Sequence, residues 1–138
     1  MSIKIRKYVA QDRQLLIELW QEVFPDPAPH NEPSKVIDEK LNQDDLIVVA
    51  ENTNQIIGSC IVGYDGHRGW LYAVAVAPEY RRQKVGARLV SHSMDELKAL
   101  GCTKVNLQIR STNTPVVSFY KSIGFQVEDR LSMGVLID

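Results

Sequence analysis

What the chain lacks narrows its class before any motif does. It has no excess of either charge: 16 Lys and Arg stand against 17 Asp and Glu, a formal net charge of −1 over 138 residues. That balance gives no support for a nucleic-acid or membrane-surface partner. No stretch is long and apolar enough to span a bilayer. The start, Met1-Ser2-Ile3-Lys4-Ile5-Arg6, lacks the apolar run of a signal peptide, so a cytoplasmic location is expected. The two cysteines, Cys60 and Cys102, form no metal-ligand spacing, and free thiols are expected. No grouping of His, Cys, Asp and Glu suggests a metal. Repeats and low-complexity tracts are missing, as is the G-x-x-x-x-G-K-[ST] pattern of a P-loop. The remainder, 44% hydrophobic and 24% charged, suits one domain over residues 1–138 with one sizeable core.

What is there centres on residues 70–89. Residues 70–76 are almost all apolar or aromatic, as in a strand covered on both faces. Pro78 has no N–H to give and ends the ladder. Arg81 and Arg82 follow, and Gly86 lies just inside an amphipathic helix. A helix start leaves backbone N–H groups unpaired and carries partial positive charge, and a glycine lets a ligand approach the backbone. The stretch reads as a pyrophosphate cradle at a strand's end. An ordinary strand, loop and helix with a solvated basic turn reads equally well from these residues alone.

The chain in order predicts a layered fold. A short strand carries Ile3, Ile5 and Tyr8, and Asp12 is placed to cap the helix that follows. Leu15, Leu16, Leu19, Trp20 and Val23 recur at helical spacing, with Trp20 read as core. Prolines 25, 27, 29 and 33 mark a surface loop, and a shorter helix bears Val36, Ile37 and Leu41. Strands at 46–50 and 56–64 flank the turn Asn52-Thr53-Asn54, giving a hairpin. Asp65-Gly66-His67-Arg68-Gly69 turns into the strand at 70–76. A helix from about 83 to 100 puts Val85, Leu89, Leu97 and Leu100 on one face, ended by Gly101. The alternation at 104–109 is a strand. Strand, long helix and strand imply a parallel crossover between the fourth and fifth strands. A last helix spans 114–123, and Phe125 onward is expected to add one or two strands. The expectation is a three-layer α/β domain: a mixed, mostly antiparallel sheet of six to seven strands, about four helices, strands four and five parallel and splayed.

Two separated motifs resemble a known family. Val76-Ala77-Pro78-Glu79-Tyr80-Arg81-Arg82-Gln83-Lys84-Val85-Gly86 is similar to "V-x-P-E-Y-R" followed by R/Q-x-x-G-x-G/A. Asn113 and then Tyr120-Lys121-Ser122-Ile123-Gly124-Phe125 is similar to an asparagine followed by "Y-x-x-x-G-F". Together they resemble the GNAT superfamily of acetyl-CoA-dependent N-acetyltransferases over essentially the whole chain. Residues 64–69 further resemble its small bacterial YpeA-like members. The resemblance implies acetyl-CoA as co-substrate, an amine acceptor and no metal, and it admits a homodimer. It implies that Val74, Ala75 and Val76 lie along the pantetheine arm, and that Arg82, Gln83, Lys84, Val85, Gly86 and Ala87, beside Arg81, wrap the pyrophosphate. Asn113 would bond the pantetheine region, and Tyr120 would stabilise the leaving thiolate. Attack in a ternary complex is expected in preference to a covalent enzyme intermediate.

Two positions depart from the family pattern. Lys84 stands where the first glycine is expected. Gln108 stands where some relatives carry a glutamate base, and a glutamine accepts no proton. Tyr64, Asp65, His67 and Gln108 are the acceptor-side candidates, with His67 slightly favoured as a base over Asp65 and Glu79 because histidine titrates closest to neutrality. Turn chemistry alone also explains Asp65-Gly66. His92 is read as inert, and His30 as a weaker acceptor-side candidate than His67 and Asp65. An acyl-CoA-binding sensor without catalysis is the alternative.

Overall fold

The computed structural model describes residues 2–137. The chain divides into two compact units, one ending at Leu107 and the other beginning at Gln108. The first contains β1 (Ile3–Lys7), α1 (Arg13–Val23), α2 (Pro33–Leu41), β2 (Ile47–Asn52), β3 (Gln55–Tyr64), β4 (Gly69–Val76), α3 (Val85–Ala99) and β5 (Val105–Leu107). Its sheet has the order β1-β2-β3-β4-β5. The first four strands pair antiparallel, and β5 pairs parallel to β4.

Helices cover both faces, as apolar runs in the middle strands require. Neighbouring residues on β3 point to opposite faces. Ser59 meets Trp20 of α1, whereas a Cβ on Gly58 would lie 2.8 Å from Leu89 of α3. So α1 and α3 lie on opposite sides, and α2 packs beside α1. Leu16, Leu19 and Trp20 form the buried stripe of α1; Val85, Leu89, Val90 and Leu97 form that of α3. Each such side chain contributes about 1.5–3 kcal/mol of transfer free energy. Gly69 also sits where α3 crowds the sheet, since a Cβ there would come within 2.8 Å of Leu97 and 2.9 Å of the Cys102 sulfur.

Polar groups fix the remaining joints. Glu32 caps α2 by accepting from the Ser34 and Lys35 N–H groups, with Pro33 in the first turn. Lys40 is buried and donates to the Val62 carbonyl at 2.6 Å. The β2–β3 turn has two left-handed residues, Thr53 (φ 47°) and Asn54 (φ 63°), which matches the right-handed twist of a tight hairpin. Asp12 does not cap α1 with its side chain. Its carboxylate accepts instead from Arg6 at 2.7 and 2.9 Å and from the Val9 N–H at 2.9 Å. Burial would raise this carboxyl, but the Arg6 and Val9 hydrogen bonds with the Arg6 charge outweigh it and hold it below its ordinary value.

Three further expectations are corrected. Leu100 is about half exposed and leaves the α3 stripe, because the helix ends one residue earlier. The fifth strand is shorter than 104–109: only Val105, Asn106 and Leu107 pair, with Gly69, Trp70 and Leu71. Beyond Leu71, β4 has no strand neighbour on that side among the described residues. The sheet therefore has five strands, not six to seven, among the described residues. Residues 125–137 hold no strand, and Leu131, Met133, Val135 and Ile137 are each exposed. Their alternation specifies a face but cannot supply a ladder partner.

The second unit contains one helix, α4 (Thr114–Ser122), with Pro115 in its first turn. Gly124 follows at φ 106°, a left-handed conformation open to glycine. The chain then doubles back, and the Phe125 N–H donates to the Tyr120 carbonyl at 3.0 Å. Such a closure satisfies carbonyls left over at a helix end.

Candidate active site

The cradle is built where β4 runs into α3. After Val76 the chain makes one 3-10 turn, Pro78–Tyr80. Three contacts locate that turn. The Ala77 N–H donates to the Ile57 carbonyl at 2.8 Å. Asn52 Nδ2 donates to the Tyr80 hydroxyl at 2.9 Å, and Arg81 Nε donates back to the Val76 carbonyl at 3.2 Å. Arg81 therefore closes the end of β4, and both it and Arg82 are exposed.

Next come two left-handed residues, Arg82 (φ 66°) and Lys84 (φ 63°, ψ 18°), the second of them at the N-terminus of α3. Lys84 occupies the position where the motif has glycine, and it adopts the glycine conformation. Among the described residues, no backbone or side-chain acceptor takes the N–H of Arg82, Gln83, Lys84, Val85, Gly86 or Ala87; the next amide, Arg88, bonds the Lys84 carbonyl at 3.0 Å. Six neighbouring donors at the positive end of a 15-residue helix make a seat for a polyanion. The residues present fit a pyrophosphate.

β4 itself is irregular upstream of the cradle. Ile61 faces Tyr72 and Ser59 faces Ala75, so Ala73 and Val74 together oppose Cys60 alone. That is a β-bulge, and Ala73 has φ 49°. Sequence reading gave no sign of it. The nearby signal is Ser59, the only hydroxyl in the apolar run at 56–62, which is fully buried. It accepts from Trp20 Nε1 at 2.9 Å and donates to the Ala73 carbonyl at 2.8 Å.

The 65–68 turn lies at the other end of β4 from the cradle, roughly 20 Å away at a strand's rise per residue. Asp65 Oδ1 accepts from the His67 and Arg68 N–H groups at 2.8 and 2.7 Å. These bonds, Arg68's first, hold its carboxyl below the ordinary value. His67 is exposed, and Tyr64, the last residue of β3, pairs with Gly69.

In the second unit, Tyr120 is buried. Phe119 and Phe125 meet it edge to face, at centroid distances of 4.9 and 5.5 Å. The spacing of Tyr120, Gly124 and Phe125 thus has a local cause: the glycine turn folds the phenylalanine back onto the tyrosine ring. Asn113 precedes α4 without capping it through its side chain. Gln108 Nε2 donates to the Ser132 hydroxyl.

Fold and local geometry together define a layered α/β protein with a run of unpartnered amides where its fourth strand meets α3. The particular class follows from likeness to known proteins. Residues 13–125 match the Acetyltransferase (GNAT) family. Acetyltransferase SG1711 of Sodalis glossinidius is 38% identical over 128 residues, 92% of this chain and 89% of its own. Acetyltransferase ECA0875 of Pectobacterium atrosepticum is 35% identical over 133 residues, 96% and 94% of the two chains. Among solved structures, the PaiA N-acetyltransferase of Thermoplasma acidophilum in complex with coenzyme A superposes with TM-score 0.82 at 25% identity, over 94% of this chain and 93% of that one. The chain belongs to the GNAT family and is an acetyltransferase; the family uses acetyl-CoA. No described helix is long and apolar enough to cross a membrane, and no described group of His, Cys, Asp and Glu is placed to hold a metal.

Proposed function

We propose that this acetyltransferase moves the acetyl group of acetyl-CoA to a primary amine of a small molecule or peptide, by direct attack in a ternary complex. The observation that carries the reading is the run of six unpartnered N–H groups from Arg82 to Ala87, continuous with a β4 edge that no strand covers beyond Leu71 among the described residues. The amides take the pyrophosphate, with Lys84 and Arg82 adding charge. The uncovered edge at Val74, Ala75 and Val76 takes the pantetheine amides as an added strand would. The family match spans both units, which supports one catalytic domain over residues 1–138.

The amine nitrogen attacks the thioester carbon, a tetrahedral intermediate forms, and the C–S bond breaks as the carbonyl returns. The departing thiolate gains a proton and the new amide loses one. Tyr120 is the proposed donor to that thiolate, and Asn113 the proposed partner of the pantetheine region. A phenol of ordinary pKa about 10 is a weak acid toward a thiolate of about 8.5, so its contribution is a hydrogen bond to developing charge as much as full transfer.

Before attack the ammonium, ordinarily of pKa about 10.4, must lose a proton. Gln108 is no base. Asp65 is committed to its turn by the His67 and Arg68 N–H groups. Transfer of that proton through water to His67, ahead of Asp65 and Glu79, is therefore the proposed route, with Tyr64 and Gln108 as acceptor contacts.

The test is thiol release from acetyl-CoA against a panel of amines, with mass detection of acetylated products, beside calorimetry of coenzyme A on wild type and Gly86→Trp. Binding should be lost in the folded variant. Unchanged affinity would put the pyrophosphate elsewhere, and thiol release with no acetylated amine would refute N-acetyl transfer.

A further inference from the structure

We propose that Ser59 and Trp20 are positioning residues for the acyl donor: they hold Ala73 in its left-handed bulge and so fix the register of the β4 segment that carries it. The inference rests on the reading that acetyl-CoA lies along residues 74–76.

The bulge decides that segment's geometry. With Ala73 and Val74 both opposite Cys60, Ala75 faces Ser59 and Val76 faces Gly58. Removing the extra residue would slide everything after Tyr72 by one position. A slip of one residue turns each side chain to the other face and exchanges inward and outward amides. The uncovered backbone groups that meet the donor would then be different ones.

The bulge is not self-supporting. Alanine resists positive φ because its Cβ approaches the carbonyl oxygen, and such a conformation persists where surrounding structure determines it. Here the surroundings are explicit. Ser59, fully buried, donates to the carbonyl of Ala73 itself. Its hydroxyl has one proton, and the Trp20 indole N–H, which only donates, claims a lone pair. With Trp20 donating into the oxygen, the hydroxyl proton is directed to Ala73. Trp20 is itself nearly buried in α1, so helix, β3 and bulge are locked in one chain of hydrogen bonds. The cradle has an anchor outside that segment, the bond from Asn52 of β2 to the Tyr80 hydroxyl. Loss of the lock should therefore misplace the acyl group while leaving pyrophosphate binding in place.

The experiment compares wild type, Ser59→Ala, Trp20→Phe and Ile61→Val. The last is a buried change on the same strand that touches neither hydrogen bond. Backbone NMR reads the Ala73 shifts that mark positive φ, calorimetry reads coenzyme A affinity, and steady-state kinetics reads kcat. Ser59→Ala should lose the left-handed signature and drop kcat roughly 10- to 100-fold, the scale of a small misplacement at the reacting centre. Its coenzyme A affinity should fall less than kcat, by about three- to tenfold or about 0.6–1.4 kcal/mol, because the pyrophosphate seat is kept and only the pantetheine contacts change. Trp20→Phe should show the same pattern at lower amplitude, and it carries the test if Ser59→Ala does not fold. Ile61→Val should keep both signature and kcat. An Ala73 signature unchanged in both hydrogen-bond variants would overturn the proposal, as would a kcat loss in Ile61→Val equal to theirs. A wild type that binds coenzyme A yet transfers no acetyl group strikes the functional reading, and the Ala73 spectrum still decides the lock.

Discussion

Replacing Lys84 by glycine should strengthen the fold and weaken the cradle in one step. Lys84 sits at φ 63°, ψ 18°, directly before α3. A side chain in this region costs about 1–2 kcal/mol relative to glycine, through crowding of Cβ against the carbonyl. Glycine returns about 0.5–1 kcal/mol of that as extra freedom in the unfolded chain. The difference, about 0.5–1 kcal/mol, should raise Tm by about 1–4 °C for a chain of this size. The same change removes an exposed ammonium beside the proposed pyrophosphate. An exposed ion pair is worth about 0.2–1 kcal/mol, so the Kd for acetyl-CoA should rise by no more than about fivefold. Lys84→Ala separates the two effects, since it loses the charge and keeps the Cβ. Calorimetric melting should give glycine above wild type and alanine at or below it, while titration should give the same loss of affinity for both. Equal melting temperatures for glycine and alanine would refute the strain argument. Undiminished affinity in both would show that the lysine charge does not meet the donor.

Three more outcomes are expected. Tyr120→Phe keeps the edge-to-face packing with Phe119 and Phe125 and should lower kcat roughly 10- to 1,000-fold with little change in acetyl-CoA affinity; normal turnover would reduce Tyr120 to packing. Asp12 has a lowered carboxyl pKa in the fold. Its stabilisation is therefore complete above the unfolded value, ordinarily about 3.9, and is lost as pH falls through the lower folded value. Acid titration of Asp12→Asn should show a weaker loss of Tm below pH 4 than wild type, and an unchanged acid limb would dismiss the Arg6–Asp12 pair. Burial pushes the Cys60 thiol up to about 11 against the Ser93 hydrogen bond. At pH 8 a disulfide reagent should therefore titrate one thiol, that of the half-buried Cys102, in folded protein and both in denaturant; rapid reaction of two would contradict a closed α3 face.

Contiguous features were the readable ones. The strand-turn-helix join at residues 76–87 is readable because a strand end, a proline, two arginines and a helix start follow one another along the chain, and their geometry is local. The Tyr120–Phe125 turn is readable for the same reason. What escaped depends on pairing across the chain. Ala73 has nothing in its neighbours to announce a positive φ; its cause is Ser59 on the adjacent strand and Trp20 on a helix 39 residues from Ser59. Asp12 looked like a helix cap because caps are local, but Arg6 and Val9 claim its carboxylate from the preceding strand and turn. The expected closing strands after Phe125 failed where a periodic pattern always leaves a gap, in naming what a strand pairs with.

The hydrogen bond from Asn52 to the Tyr80 hydroxyl has a consequence for anyone who would modify this protein. Exposed hairpin tips are ordinarily the safe places for tags and insertions, and Thr53-Asn54 looks like one. Its flank, however, is a strut under the turn that presents the donor amides. A peptide grafted there would tug on Tyr80 and tilt the start of α3. The tip at Gly66, where an added Cβ would meet nothing within 4 Å, bears no such strut, and a graft there would leave the proposed acetyl-CoA seat undisturbed.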